Sequence, residues 1–216
     1  MRMTYLPADL APGTHIRLPQ TSGARHPWRG IGAEVYRWIG TAYLWLFGWK
    51  VTGDWPLYSK AVAIGAPHTT NWDGVLMIAT MGQLRVRMNW MGKASLTTGP
   101  FGGFVRWLGC IPIDRSKAND MVSQMKAAFA DADQLFVGVP PEGTRTTGVA
   151  GTPWKSGFYH IAVAAGVPII ICLLDWGTRH VRISGVYMPT GDIDADMKII
   201  RSHYDGILGK FTPRPD

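Results

Sequence analysis

The sequence predicts a single α/β domain, a central largely parallel or mixed sheet flanked by helices. Three observations predict it. Apolar runs of strand length alternate with stretches whose apolar residues recur at helical spacing, the order that builds strand–helix–strand layers. At 216 residues the chain is one domain's worth, able to bury roughly 70% of its unfolded surface. With 46% hydrophobic and 17% charged residues it is too apolar for a disordered chain.

Taken in order, residues 1–30 contain Pro7, Pro12, Pro19 and Pro27 with scattered glycines and read as a flexible N-terminal arm. An aromatic helix is expected over 31–50, then a turn at Gly53-Asp54-Trp55-Pro56, a buried strand Ala61–Ala66 and a helix from about Asn71, which would cap it. There follow a strand near Val86–Met91, a helix near Phe101–Leu108 and a strand Ile111–Asp114. Met121, Val122, Met125 and Phe129 then mark a helix opened by Asn119, and Leu135–Val139 a strand. The apolar stretch Phe158–Leu174 is broken by Gly166 and Pro168, so it divides into a helix from Gly157 to Ala165 and a strand from Val167. A strand near Val181–Val186 and a helix from Gly191-Asp192 to about Leu208-Gly209 close a domain spanning 51–210, with 211–216 as a tail.

Ten tryptophans are several times the usual share, and Trp38, Tyr43, Trp45 and Trp49 fall in or at the ends of one uncharged 12-residue run between Arg37 and Lys50. That run is too short to span a bilayer as a helix, which takes about 20 residues. Bracketed by basic residues, it suits either the headgroup boundary of a membrane or a buried helix packed through aromatic rings. The net charge of +7 points to an anionic partner. Nucleic acid is not expected, since the basic residues are dispersed and no recognition motif accompanies them. An anionic membrane surface accounts for both the charge and the aromatics. Arg2 is not followed by an apolar run, so no secretory signal is expected, and Cys110 and Cys172 lack disulfide or zinc spacing. A reducing cytosol fits them, placing the chain at the cytoplasmic face of the cell membrane, peripheral or monotopic.

Three polar clusters follow strand ends: His68, Asp114-Arg115 and Glu142-Gly143-Thr144-Arg145. Open α/β sheets bind ligands beyond the carboxyl ends of their strands, so these clusters should converge. His68 and Asp73 are five positions apart, about 140° on a regular helix, so they can meet only if His68 lies in the loop and Asp73 in the first helical turn. Such a dyad would let the Asp orient the imidazole while its other nitrogen removes a proton from a hydroxyl. The plainer alternative is a core histidine beside an unrelated helix-start carboxylate. Arg115 and Arg145 would supply guanidinium forks for a phosphate, and Gly143 a close backbone approach. A carboxylate repels phosphate, so Glu142 is expected to position an arginine or Thr144. No metal is expected: His15, His26, His160, His180 and His203 lack ligand spacing, and Asp192, Asp194 and Asp196 lack the glycine of a calcium loop and suit a helix start better. Gly92-Lys93 does not complete a phosphate loop, since Arg87 and Ala94 stand where glycine and Ser/Thr belong.

The segments Pro67-His68-Thr69-Thr70-Asn71-Trp72-Asp73 and Pro141-Glu142-Gly143-Thr144-Arg145 resemble the H-x4-D and P-E-G-T-R signatures of the glycerolipid acyltransferases, the lysophospholipid acyltransferase superfamily. Between them Lys93, Gly99-Pro100-Phe101-Gly102 and the stretch Gly109 to Arg115 resemble that family's second block, and Val167-Pro168-Ile169-Ile170 its fourth. Trp154-Lys155-Ser156-Gly157-Phe158 matches the intervening segment. The sequence departs from the family pattern at Pro67, Thr146 and Ile171.

The resemblance implies a glycerol-3-phosphate acyltransferase-like fold and an O-acyltransferase of phospholipid synthesis. Its donor would be acyl-CoA or acyl carrier protein, its acceptor a lysophosphatidic acid-like lysophospholipid, and it would need no cofactor. His68 and Asp73 would be catalytic, and Lys93, Arg115, Glu142, Gly143, Thr144 and Arg145 would form the acceptor site. The alternatives are another lysolipid, a glycolipid or an aminolipid as acceptor, or a different class altogether, a thioester hydrolase or a non-catalytic lipid-binding protein.

Overall fold

The computed structural model describes residues 10–17, 30–56, 58–113, 118–143 and 153–211, excluding the side chains of 118–120. Its elements are β1 (His15–Arg17), α1 (Ile31–Leu46), β2 (Lys50–Thr52), β3 (Lys60–Ala66), α2 (Trp72–Leu84), β4 (Met88–Lys93), α3 (Ser95–Thr98), α4 (Gly102–Trp107), β5 (Cys110–Ile113), α5 (Ala118–Asp131), β6 (Leu135–Val139), α6 (Gly157–Ala165), β7 (Ile169–Asp175), β8 (His180–Tyr187) and α7 (Ile193–Ser202). The strands form one sheet in the order β1-β8-β7-β3-β6-β4-β5. The five strands from β7 to β5 are parallel, and β8 runs antiparallel to β7. The outer edge of β8 is shared, its first half pairing with β2 and its second with β1.

Both faces of the parallel strands are covered, which is why they read as continuous apolar runs. On one face Val62, Ile64, Val137 and Ile171 pack with Met125, Phe129, Phe158 and Ile161 from α5 and α6. On the other, Ala61, Ala63, Phe136 and Ile170 pack with Met81 of α2, Trp55 and Val86. Cys110 and Cys172 are both buried in the core.

Three expectations are corrected. Residues 14–17 are not a loose arm: β1 pairs antiparallel with Gly185–Tyr187, satisfying an edge of β8 that would otherwise lack backbone partners. The helix expected over 31–50 ends at Leu46, because Gly48 adopts φ +69° and the N–H groups of Gly48 and Trp49 turn back to Trp45 and Leu44. Lys50 then opens β2. The helix expected near Phe101–Leu108 is found as α4, and a short helix that was not expected, α3, precedes it across Gly99-Pro100. The last helix stops at Ser202, and residues 203–211 fold back as turns.

The aromatic helix packs on α2 through one face and exposes the other. Gly40 lies so close to α2 that a Cβ there would sit 2.3 Å from the Ala79 carbonyl oxygen, and Gly82 makes a similar approach to Tyr36. The opposite face exposes Ile31, Val35, Trp38, Ile39 and Trp45, the last at 81%. No described helix is long and apolar enough to cross a membrane.

Candidate active site

Parallel strands deliver their carboxyl ends to one edge, so the residue after each strand is placed there by topology alone. His68 lies two residues past β3, Glu142 three past β6, and Trp176 directly after β7; these strands are neighbours in the order β7-β3-β6. Lys93 ends β4, the next strand outward from β6, and is exposed. Arg115, Thr144 and Arg145 lie outside the described residues.

His68 sits in the loop between β3 and α2, and Asp73 in the first turn of α2, as a meeting of the two requires. His68 Nδ1 lies 3.2 Å from Asp73 Oδ2. Asp73 is only 2% exposed, yet its carboxylate is well supplied with donors. The backbone N–H groups of Thr69 and Thr70 donate to Oδ2 at 2.7 and 2.8 Å, and the Trp176 indole N–H donates to Oδ1 at 2.7 Å. Asn71 was the expected helix cap, but its side chain makes no cap hydrogen bond; Asp73 reaches back to the loop amides instead. With Nδ1 engaged by Asp73, Nε2 is the nitrogen available to a substrate hydroxyl.

Glu142 faces His68 rather than open solvent. The His68 backbone N–H donates to Glu142 Oε1 at 3.1 Å, and among the described residues the buried Oε2 has no partner. Burial pushes the Glu142 carboxyl above its ordinary pKa, against the lowering effect of its own and the His68 backbone N–H. The expectation that it positions an arginine or Thr144 falls on undescribed residues; within the described ones it fixes the backbone of the histidine. Gly143 adopts φ +67° and its N–H is already used, donating to the Pro140 carbonyl at 3.0 Å. Its lack of a side chain makes room for Lys155, whose Cδ would lie 2.7 Å from a Cβ there.

Two spaces meet at the dyad. A polar cleft of about 710 Å³ is lined by His68, Thr69, Thr70, Asn71, Pro140, Gly143 and Phe211. A second cavity, of about 650 Å³, runs from His68 and Asp73 between α2 and the sheet among Met77, Met81, Met88, Trp90 and Leu174, and also reaches Phe158 of α6. His68 and Gly143 line both, and Lys155 lines the second near their junction. Lys93 lines neither. Lys155 follows no strand and Trp176 carries no charge, so neither matches the pattern of a charged residue at a strand end. For Trp176 the signal was its position directly after a buried strand; for Lys155 there was none beyond its motif segment.

The acidic run at the start of α7 is structural. Asp192 caps the helix by accepting the Ala195 N–H, and buried Asp196 accepts the hydroxyls of Tyr159, Tyr187 and Thr190.

A family model described as Acyltransferase matches residues 49–174, more than half of the chain and inclusive of the dyad and Glu142. The chain belongs to the acyltransferase family. It is 39% identical over 144 residues to the 1-acyl-sn-glycerol-3-phosphate acyltransferase of Haemophilus influenzae, covering 63% of this chain and 58% of that one. It is 36% identical over 137 residues to the Escherichia coli protein of the same name, covering 59% and 54%. The chain thus spans somewhat over half the length of these curated relatives. The solved structure of the 1-acyl-sn-glycerophosphate (LPA) acyltransferase PlsC of Thermotoga maritima superposes with a TM-score of 0.57 at 19% identity, over 80% of this chain and 75% of that one. At that identity the superposition establishes the acyltransferase fold. Trp176 lies just beyond the segment that the family model matches.

Proposed function

We propose that this chain transfers a fatty acyl group from an acyl thioester, acyl-CoA or acyl carrier protein, to the free hydroxyl of a lysophosphatidic acid-like acceptor. The observation that carries this reading is the place of His68, where a polar cleft and an apolar cavity meet, with Nδ1 turned to buried Asp73. A base there can reach a hydroxyl whose headgroup occupies the cleft while an acyl chain occupies the cavity, whose volume is within the usual range for small-molecule sites. The names of the relatives support the same reaction and acceptor.

In the proposed step the acceptor hydroxyl gives its proton to His68 Nε2 as its oxygen attacks the thioester carbonyl. Asp73 stabilises the imidazolium, the C–S bond breaks, and the departing thiolate takes the proton from His68. No covalent acyl-enzyme is needed. Arg115 and Arg145 are proposed to bind the acceptor phosphate, with Lys155 at the junction of the two spaces as a further cation; Lys93, which lines neither space, is not assigned to it. The exposed aromatic face of α1 is proposed to rest on an anionic membrane surface at the cytoplasmic side, as a peripheral or monotopic contact.

The test is thioester consumption by the wild type and His68→Ala, with acyl-CoA and acyl carrier protein donors across a panel of lysolipids read by mass spectrometry. The reading expects one diacyl product that requires both acceptor and His68. Equal thioester loss without acceptor, yielding only free fatty acid, would replace transfer with hydrolysis.

A further inference from the structure

Trp176 has no part in the steps above, yet it makes one of the shortest side-chain contacts in the site. Its indole N–H donates to Asp73 Oδ1 at 2.7 Å, the short distance expected of a donor on a carboxylate. The two carboxylate oxygens are unequally supplied. Oδ2 has two backbone donors and His68, whereas among the described residues the indole is the donor to Oδ1. A carboxylate turns easily about its last torsion, so the donor on Oδ1, together with the amides on Oδ2, fixes how squarely Oδ2 faces the imidazole.

The indole is itself held from several sides. The Trp176 backbone N–H donates to the Leu208 carbonyl at 2.8 Å, and its ring meets Trp49 edge to face at 4.9 Å between centroids. The ammonium of Lys210 lies 5.2 Å from the same ring. The Lys210 backbone N–H donates to Thr69 Oγ1 at 3.1 Å, and Thr69 donates its own N–H to Asp73. Residues 208–210 therefore connect Trp176 and Thr69, two of the groups that hold the Asp73 carboxylate.

We propose that Trp176 is a positioning residue for the His68–Asp73 dyad, held in place by the strap of residues 208–210. Packing alone would not need the indole nitrogen: a phenyl ring could meet Trp49 and Lys210 as well. The proposal rests on the reading of His68 as the base. Removing the N–H leaves Asp73 Oδ1 buried without that donor and lets the carboxylate turn away from His68. Turnover should then suffer while the two substrate spaces, which Trp176 does not line, keep their shape.

Two variants separate the hydrogen bond from the ring. Trp176→Phe removes the N–H and part of the ring. Benzothienylalanine at position 176 keeps the bicyclic shape and replaces only the N–H by sulfur. Both should lower kcat by about ten- to a hundredfold with KM within about twofold, the usual effect of losing a hydrogen bond to a charged group. In 15N-indole spectra the resonance missing from Trp176→Phe should shift in Asp73→Asn. Wild-type kcat in the benzothienyl variant, or an indole resonance indifferent to Asp73→Asn, would overturn the proposal. Absence of transfer by the wild type strikes the acyl-transfer reading instead, and the indole response still decides whether Trp176 is tied to Asp73.

Discussion

Glu142 Oε1 accepts the backbone N–H of His68 at 3.1 Å across 74 residues of sequence, so the loop after β6 fixes the loop after β3. The Glu142 carboxylate thus holds the His68 loop through its backbone. Glu142→Gln keeps an oxygen for that N–H without a buried charge, and its activity should stay within about tenfold of wild type. Glu142→Ala leaves the His68 N–H without its partner, a loss of about 1–3 kcal/mol, and should cost ten- to a hundredfold in kcat. The pH dependence has a definite sign. Burial raises the Glu142 pKa on folding, so its contribution to stability is most favourable at low pH and is lost as pH rises through the folded value. The melting temperature of Glu142→Gln relative to wild type should therefore be higher at pH 8 than at pH 4.5; a constant difference would contradict a raised pKa.

His68 and Asp73 should separate activity from stability. His68→Ala removes a partly exposed side chain and should lower kcat by about 10²–10⁴ with little change in denaturant midpoint. Asp73→Asn presents an amide to a site built of donors, the Thr69 and Thr70 N–H groups and the Trp176 indole. It should lose activity to a similar extent and also about 1–3 kcal/mol of stability. Equal denaturant midpoints for the two variants would mean that Asp73 does not organise the loop.

The edge that carries the candidate site is legible in the sequence because buried parallel strands read as unbroken apolar runs, and the polar residue after each run is thereby placed. His68 and Glu142 follow that rule. Trp176 follows it too, after β7, but an aromatic residue carries no charge to mark it and its role lies in the direction of one N–H. Strand β1 is three residues long, too short for any period, and the half-edge of β8 left by β2 fixes its place. Asn71 has the local preference of a cap, yet Asp73 takes the amides because the same carboxylate must also meet His68.

Gly143 is required by conformation and by space together. Its φ of +67° disfavours any Cβ by roughly 1–2 kcal/mol, and a methyl group would meet the Lys155 side chain. Gly143→Ala should lower stability by about that amount and, by displacing Lys155 from the junction of the two spaces, raise KM more than it lowers kcat. Steady-state kinetics on both substrates would show this; an unchanged KM would detach Lys155 from binding.

The attachment of β1 should depend on pH. His203 Nε2 lies 2.8 Å from His15 Nε2, and its Nδ1 lies 2.7 Å from Ser184 Oγ. Burial first, then His15 and Arg17, lower the His203 pKa to about 4. An unfolded histidine titrates near 6.5, so between about 6.5 and 4 the unfolded chain holds more protons and stability falls as pH falls. Amides 15–17 should exchange faster at pH 5 than at pH 7.5 after correction for intrinsic rates, and His203→Gln should weaken that dependence. The same pH response in wild type and variant would assign it elsewhere.

Membrane contact is best tested on the outer face of α1, since deleting the helix would strip α2 of the partner packed against Gly82 and Ala79. Trp38 and Trp45 face solvent, and across a space lined by both Tyr36 and Trp107 lies α4, with Phe104 and Trp107 also exposed. Burying half of a tryptophan's 150–250 Å² in the interface contributes about 2–3 kcal/mol at ~25 cal/mol per Å². Trp38→Ser with Trp45→Ser should therefore weaken partition onto anionic vesicles by well over tenfold in a flotation assay, while turnover of a detergent-dispersed, short-chain substrate stays near wild type. Trp107→Ser extends the test to α4. If only the α1 pair reduces flotation, the contact is a single helix face; if both do, the membrane rests on two. Unchanged flotation in the α1 pair would remove the membrane from the account of this helix and leave its exposed tryptophans to another partner.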